Sequence, residues 1–308
     1  MYNNAFFLGK GGVGKTTLSS AFGLEIARRG KRVLVASLDP AHNLGDVYGT
    51  NLAGKPKKIE ANLDALEIDL GFWIKQYLDN SREELKTHYA YASTMNLDPF
   101  FDIMRYSPGT EEYAVLWAIE HIHCDLAPDY DLVIFDTPPT ALTLRFLAMP
   151  TITNMWIQEL SNLRAHILER RQTIGRLNPD SPVAESCVDK DDDKVYGRLG
   201  NIGRRLMLLK TLFTQKSFIS VIVNPDILSV SEALRIKDEM GRLGLPLSAV
   251  LVNKLGMGTN SWNLDSDLFG QLSFDVAFKK EGLRSIKDLG NIDIQNLANH
   301  FLESWKES

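Results

Sequence analysis

A chain of 308 residues with 44% apolar and 24% charged residues has material for a sizeable buried core, in one large α/β domain or two smaller ones. Its formal net charge of −5 gives no electrostatic reason to bind DNA or RNA, so no nucleic-acid partner is expected. Two cysteines, Cys124 and Cys187, neither in a C-x-x-C pair, exclude a disulfide framework and point to a reducing cytoplasm.

The opening "MYNNAFFLG" lacks a basic n-region and reads as a first strand, not a signal peptide. Nowhere does an uncharged apolar run reach the ~18 residues that span a bilayer. In chain order, Ala5–Gly9, Lys31–Asp39, Asp131–Pro139, Phe218–Asp226, Ser248–Leu255 and Leu272–Phe278 are short runs rich in Val and Ile. They do not alternate with polar residues, as expected of strands buried on both faces of a parallel sheet. Helical patterns at Leu18–Arg29 and Ser229–Leu243 lie between them, so the fold class is α/β, with a doubly wound, mostly parallel sheet and ligand loops at the carboxyl ends of the strands.

The chain is expected to be a single domain over 1–308, with helical insertions at about 72–123 and 151–216 forming a subdomain. In Thr151–Arg171, Ile152, Met155, Trp156, Leu160, Leu163 and Ile167 recur at three- and four-residue steps, an amphipathic helix. Tyr196–Phe213 does the same with Leu199, Ile202, Leu206, Leu209, Leu212 and Phe213. Between them, the charge run "VDKDDDKV", Val188–Val195, reads as a solvated loop and nothing more. The final stretch carries Ile294, Leu297, Phe301, Leu302 and Trp305 on one side with mixed or acidic polar residues, which describes a packed last helix better than a membrane-surface one.

The loop after the first strand satisfies two templates. Gly9, Gly11 and Gly14 make G-x-G-x-x-G, and Gly9 through Thr16 make G-x-x-x-x-G-K-T, the phosphate loop of nucleoside triphosphatases. Asp39, closing the second strand, is placed where a dinucleotide's ribose would want a carboxylate. Three features outweigh that. Lys15 puts an ammonium at the β/γ-phosphates and Thr16 a hydroxyl at Mg²⁺; Asp136 ends a hydrophobic strand as the second carboxylate of a Mg²⁺-nucleotide site; and Asp39 is followed by the polar loop "PAHNLGD", unlike a ribose clamp. Successive N–H groups of Gly11–Thr17 then form an anion-binding nest at a helix N-terminus. Read from the residues alone, Asp39 and Asp136 also suit helix capping, and Asn253 suits a strand-end turn.

Lys10, directly after the first glycine, makes K-G-G-V-G-K-T-T, which resembles the deviant phosphate loop of one ATPase branch. "DPAHNLGD" (Asp39–Asp46), "FDTPPTALTLRFLAMP" (Phe135–Pro150), "SPGTEEYAVLWAI" (Ser107–Ile119) and the stretch from Val223 through "LVNKL" resemble, in order, the two switches, the P-G-x-x-E segment and the later motifs of the arsenite-pump-driving (ArsA) and tail-anchored-protein targeting ATPases. The resemblance implies a Mg²⁺-dependent ATPase working as a homodimer with nucleotide at the interface. Gly9, Gly11, Gly12, Val13, Gly14, Lys15, Thr16 and Thr17 would hold ATP. Thr16 would ligate Mg²⁺, and Asp136 would hold it through water. Asp39 would orient or activate the attacking water, Lys10 would act in trans, and Asn253 would hydrogen-bond the adenine. Ala141-Leu142 stands where the family usually has Gly-His, Asn224-Pro225-Asp226 where Pro-Glu is usual, and the zinc-binding C-x-x-C of many targeting dimers is absent. No cysteine occurs in Thr137–Leu147, the neighbourhood of an iron–sulfur ligand in a wider relative. Neither zinc nor an iron–sulfur cluster is expected.

Three readings of what ATP drives follow. An apolar groove for a transmembrane helix would draw on Trp73, Tyr77, Met95, Phe100, Phe101, Met104, Met155, Trp156, Met207 and Phe213, a Met- and aromatic-rich set suited to varied helices; each of these also suits plain core packing. Metalloid export would want several thiolates, and two cysteines, each ordinarily a buried thiol, are a thin supply. A nucleotide-gated binding module would dimerise on ATP without turnover. The expected location is the cytoplasm, peripheral to a membrane through a membrane-protein partner.

Overall fold

The computed structural model describes residues 2–41, 43–88, 98–180, 189–256, 272–277 and 286–307. The chain forms two compact units, Met1–Phe146 with Thr214–Ser308, and Leu147–Phe213. The second insertion is thus a unit of its own, whereas the first belongs with the sheet.

In the first unit, β1 (Asn4–Leu8), β2 (Val33–Ser37), β3 (Lys57–Glu60), β4 (Leu63–Glu67), β5 (Leu132–Asp136), β6 (Ser217–Val223), β7 (Ala249–Leu255) and β8 (Ser273–Ala277) form one sheet in the order β3-β4-β2-β5-β1-β6-β7-β8. Every pairing is parallel except β3–β4. All five residues of β1, β2 and β5 are buried, the apolar ones together with the polar Asn4, Ser37 and Asp136 at the strand ends. Because β5 pairs with both β1 and β2, the carboxyl ends of these three strands lie side by side. The loops that leave them carry Gly9–Thr16, Asp39 and Asp136.

Helix α1 (Lys15–Arg28) covers one face of the sheet, and a Cβ at its Gly23 would stand 2.7 Å from Val35 Cγ2, so only glycine permits this approach. Phe7, Phe22, Phe218 and Phe301 form a buried aromatic core between sheet and helices. The strand expectations are met, and two strands were missed. β3 is a polar edge strand, antiparallel, with an irregular register between Lys58 and Glu60; Asn62 makes the turn into β4 at φ +61°, where asparagine is tolerated.

The first insertion is helical as expected: α2 (Asn43–Tyr48) precedes the β3–β4 pair, then α3 (Leu70–His88), α4 (Asp98–Met104) and α5 (Thr110–His121) follow, ending in a π-turn at Ile122–Leu126. The later helices are α6 (Thr140–Leu177), α7 (Lys194–Gln215), α8 (Ile227–Leu243), α9 (Ile286–Leu289) and α10 (Gln295–Glu307). In α10, Leu297, Phe301 and Trp305 are buried and Leu302 partly so, the packed last helix expected. α6 runs through Pro150, which has no N–H to give the carbonyl of Phe146, and Phe146 is where the first unit ends.

Within the second unit, α7 buries Leu206, Leu209, Leu212 and Phe213. α6 buries Leu147, Asn154 and Leu168, while its expected apolar stripe faces out: Ile152 is 52%, Met155 63%, Trp156 68% and Leu163 57% exposed. The charge run before α7 is also more than a solvated loop. Asp193 is buried, accepts from Arg164 Nε and Nη2 at 3.0 and 2.7 Å, and caps α7 by accepting from Tyr196 N–H at 2.7 Å.

Candidate nucleotide site

Gly9 leaves β1 at φ +150°, where a Cβ would meet Ile222 O at 2.6 Å and Val13 Cγ2 at 2.9 Å. Gly12 (φ +80°) and Gly14 (φ +99°) continue the turn, and a Cβ on Gly14 would meet Asn253 Nδ2 at 2.5 Å. The loop therefore holds a shape that side chains at Gly9 and Gly14 would break. Lys10, Gly11 and Gly12 are exposed, while Val13 is buried beneath them. No side chain caps α1, which leaves its first-turn N–H groups and the positive end of its dipole for an anion.

Lys15, at the first position of α1, is buried, and its Nζ donates to Lys10 O at 3.3 Å. Burial pushes its ammonium below the ordinary lysine range, and the carboxylates of Asp136 and Asp39 oppose that shift. Thr16 Oγ1 donates to Asp136 Oδ2 at 2.8 Å. Asp136 is wholly buried at the end of β5; burial pushes its carboxyl up to about 7, against the Thr16 hydrogen bond and the Lys15 charge. Among the described residues its Oδ1 has no hydrogen-bond partner. Thr17 follows on the same turn, partly buried. A half-satisfied buried carboxylate, a threonine hydroxyl and a lysine beside a helix N-terminus that no side chain caps is a donor set that fits a hydrated divalent cation and a triphosphate.

Asp39 stands two residues beyond β2, partly exposed. Its N–H donates to Ser37 Oγ at 3.3 Å, and its Oδ1 accepts from Ala41 N–H at 3.0 Å. Leu38 N–H donates to Asp136 O at 2.8 Å, joining the starts of both switch segments. Further along the first switch, Gly45 N–H donates to the buried Glu67 Oε1 at 2.7 Å, an anchor the sequence reading missed. On the second switch, Thr137 Oγ1 donates to Phe7 O at 2.7 Å and Thr143 Oγ1 to Pro138 O at 2.8 Å. Ala141 and Leu142 lie in the first turn of α6, a conformation that asks for no glycine.

Asn253 comes to the phosphate loop itself. Its Nδ2 donates to Val13 O at 2.7 Å, and its Oδ1 accepts from Lys254 N–H at 2.8 Å. Lys254, which the sequence reading passed over, adopts φ +58° and donates from Nζ to Gly12 O at 2.9 Å. A non-glycine residue held at positive φ carries backbone strain, and its place directly after Asn253 was the available signal.

The residues expected to line a groove divide. Phe101 and Phe213 are buried, and Trp73, Tyr77 and Met104 pack partly buried in a cluster with Ile74 and Leu78. Phe100, Met155, Trp156 and Met207 are exposed. Met95 and Cys187 lie outside the described residues. Cys124, expected to be buried, is an exposed thiol, because it sits on the outward side of the π-turn after α5. Among the described residues no helix is long and apolar enough to cross a membrane.

A family model described as anion-transporting ATPase matches residues 3–266. The putative arsenical pump-driving ATPase 2 of Aquifex aeolicus is 29% identical over 250 residues, covering 81% of this chain and 79% of that protein. The putative arsenical pump-driving ATPase of Chlorobaculum tepidum is 32% identical over 254 residues, 81% of this chain but 60% of that protein. The ATPase get3 of Schizosaccharomyces pombe is 28% identical over 261 residues, 83% of this chain and 74% of that protein. The chain thus spans less than two thirds of some of the relatives it matches.

Proposed function

Since the chain belongs to the anion-transporting ATPase family and is an ATPase, we propose that it works as a Mg²⁺-dependent homodimer whose ATP-driven closure is coupled to the handling of an apolar helical client. In this reading the loop Gly9–Thr17 holds the phosphates, and Lys15 and Thr16 face the β/γ-phosphates and the metal. Asp136 supports the metal through water, Asp39 orients the attacking water, and Lys10 reaches the partner subunit's nucleotide. Asn253 keeps a role near the adenine in addition to its bond to the loop. The magnesium ion supplies charge neutralisation of the transferring phosphate when bound. The protein's part is to position water and donors around it.

The observation that carries the client is the stripe on α6. Ile152, Met155, Trp156, Leu160, Leu163 and Ile167 are all exposed, and with Ile174 and Leu177 they extend over roughly 38 Å at 1.5 Å per residue. That length is comparable with the ~30 Å apolar core of a bilayer, hence with a membrane-spanning helix. Exposed contiguous apolar surface of this kind marks an interaction site. The reading carries with it a cytoplasmic protein that meets a membrane through a partner. A second reading, metalloid export, draws on the printed names of the arsenical pump-driving relatives and on the exposed thiol of Cys124.

Phosphate release with Mg²⁺-ATP, measured alone, with an apolar 20-residue helix presented in a soluble carrier, and with antimonite, tests both. Expected is hydrolysis that Asp39→Asn abolishes, that the helix changes, and that ignores antimonite. Trp156→Glu with Leu163→Glu should keep the basal rate and lose the response to the helix. Stimulation by antimonite alone would overturn the client in favour of the metalloid.

A further inference from the structure

Two motifs without a role in nucleotide binding meet within the first unit. Glu112, from the P-G-x-x-E segment, lies on α5; Arg145, from the T-L-R that follows the second switch, lies on the second turn of α6. Arg145 Nη1 is 3.1 Å from Glu112 Oε1, with side-chain exposures of 67% and 8%, and Arg145 Nε donates to Ala141 O at 3.4 Å. One guanidinium therefore bridges a buried carboxylate and the first turn of α6, a two-sided contact that the single ammonium of lysine does not reproduce.

The contacts continue on both sides. Toward the nucleotide site, Leu142 and Thr143 N–H groups donate to Pro139 O at 3.1 and 3.3 Å, and Thr143 Oγ1 donates to Pro138 O. Asp136 is two residues further on. Toward the insertion, α5 is tied to α3 by Tyr113, whose ring stacks on Tyr77 at 5.6 Å between centroids and 5° between planes. Ala114 packs with Ile74, Leu78 and Phe101.

We propose that Arg145 is a positioning residue for ATP hydrolysis: through Glu112 it holds the segment after Asp136 in the geometry turnover needs, and makes that segment and the α3–α5 insertion respond to nucleotide together. Arg145 touches no nucleotide in this scheme and acts through the Asp136–Pro139 segment. Removing it leaves the Glu112 carboxylate buried without its cation and the first turn of α6 held from one side only.

The test uses the full chain and no client, so a failure of the client reading leaves it standing. Arg145→Gln, at an exposed position that the fold tolerates, should lower kcat for phosphate release about tenfold while KM for ATP moves less than about twofold. Glu112→Gln should do the same, the double variant should be no worse than either, and Arg145→Lys should fall between. Amide hydrogen exchange over residues 110–121 should change on adding Mg²⁺-ATP in the wild type and not in Arg145→Gln, although that variant still binds ATP. A kcat within about twofold of wild type, or losses that multiply in the double variant, would overturn the proposal. So would an exchange response that survives in Arg145→Gln. If Glu112→Gln fails to fold, kcat and exchange in Arg145→Gln and Arg145→Lys decide alone.

Discussion

The side-chain amide of Asn253 donates to the carbonyl of Val13 at 2.7 Å, joining the end of β7 to a loop 240 residues earlier. Lys254 repeats the connection one residue on, at Gly12 O. The phosphate loop is therefore held from outside as well as by its own glycines. Asn253→Ala leaves the Val13 carbonyl unpaired in a buried place, so unfolding should become easier by about 1–2 kcal/mol. Calorimetric titration should find ATP binding about tenfold weaker, because a loosened nest must be ordered when the phosphates arrive. Asn253→Asp should be worse than Asn253→Ala, since it sets an acceptor against an acceptor.

The glycines of the loop do not contribute equally. Gly9 and Gly14 combine positive φ with neighbours closer than a Cβ allows, whereas a Cβ on Gly11 would meet nothing within 4 Å. Gly14→Ala and Gly9→Ala should each lower the thermal midpoint of the ATP-free protein by several degrees, in line with a cost of about 1–3 kcal/mol for a strained backbone. Gly11→Ala should leave it unchanged. Thermal unfolding followed by circular dichroism separates the three variants.

Most of the sheet was legible because a strand buried on both faces writes itself as an unbroken apolar run, as in residues 33–36 and 132–135. β3 and β4 were not: "KKIE" is an edge strand that turns its charges to water, whereas "LDALE" is an interior strand whose Asp64 and Glu67 accept hydrogen bonds from Tyr130 and Gly45. The G-x-x-x-x-G-K-T loop could be read from spacing, whereas the roles of Asp39 and Asp136 were expected from a family resemblance. The contacts that hold them could be read from neither: Glu67 to Gly45, Lys254 to Gly12 and Glu112 to Arg145 join residues whose proximity only the folded chain creates. Asp193 stayed hidden for the same reason, since its partner Arg164 is 29 residues away and its neighbours are all charged.

The amphipathic reading of α6 was right about the stripe and silent about its direction. Periodicity reports that one face is apolar, not that the face is covered. Here Asn154 and Leu168 point inward, while Trp156 and Leu163 are 68% and 57% exposed. Trp156→Ser and Leu163→Ser should therefore change the free energy of unfolding by no more than about 0.5 kcal/mol. Phe213→Ala, at a residue only 1% exposed, should cost about 3–5 kcal/mol through the cavity it leaves. Urea unfolding of the three variants checks the contrast, and an equal loss at Trp156 would mean that the stripe is covered.

The Arg164–Asp193 pair makes the stability of the second unit depend on pH in a definite direction. The Arg164 guanidinium, hydrogen-bonded to both carboxylate oxygens, holds the Asp193 carboxyl below the ordinary aspartate range; the Tyr196 N–H adds to this, and partial burial opposes it. Because the native carboxyl titrates below the unfolded one, the contribution of the pair is complete above the ordinary aspartate value near ~4. It is then lost as pH falls through the native value. Asp193→Asn keeps a side-chain oxygen for the α7 cap but not the charge, so it isolates the ion pair. At pH 7 this variant should be less stable than wild type by about 2 kcal/mol, the range for hydrogen bonds to a charged group. The gap should hold down to about pH 5 and narrow as the pH falls below the ordinary aspartate value, closing once Asp193 in the wild type takes up its proton. Asp193→Ala, which also loses the cap, should stay about 1 kcal/mol below Asp193→Asn across the series. Urea unfolding at a series of pH values measures all three curves, and a wild-type-to-Asn gap that widens on acidification would mean that Arg164 does not stabilise the Asp193 carboxylate.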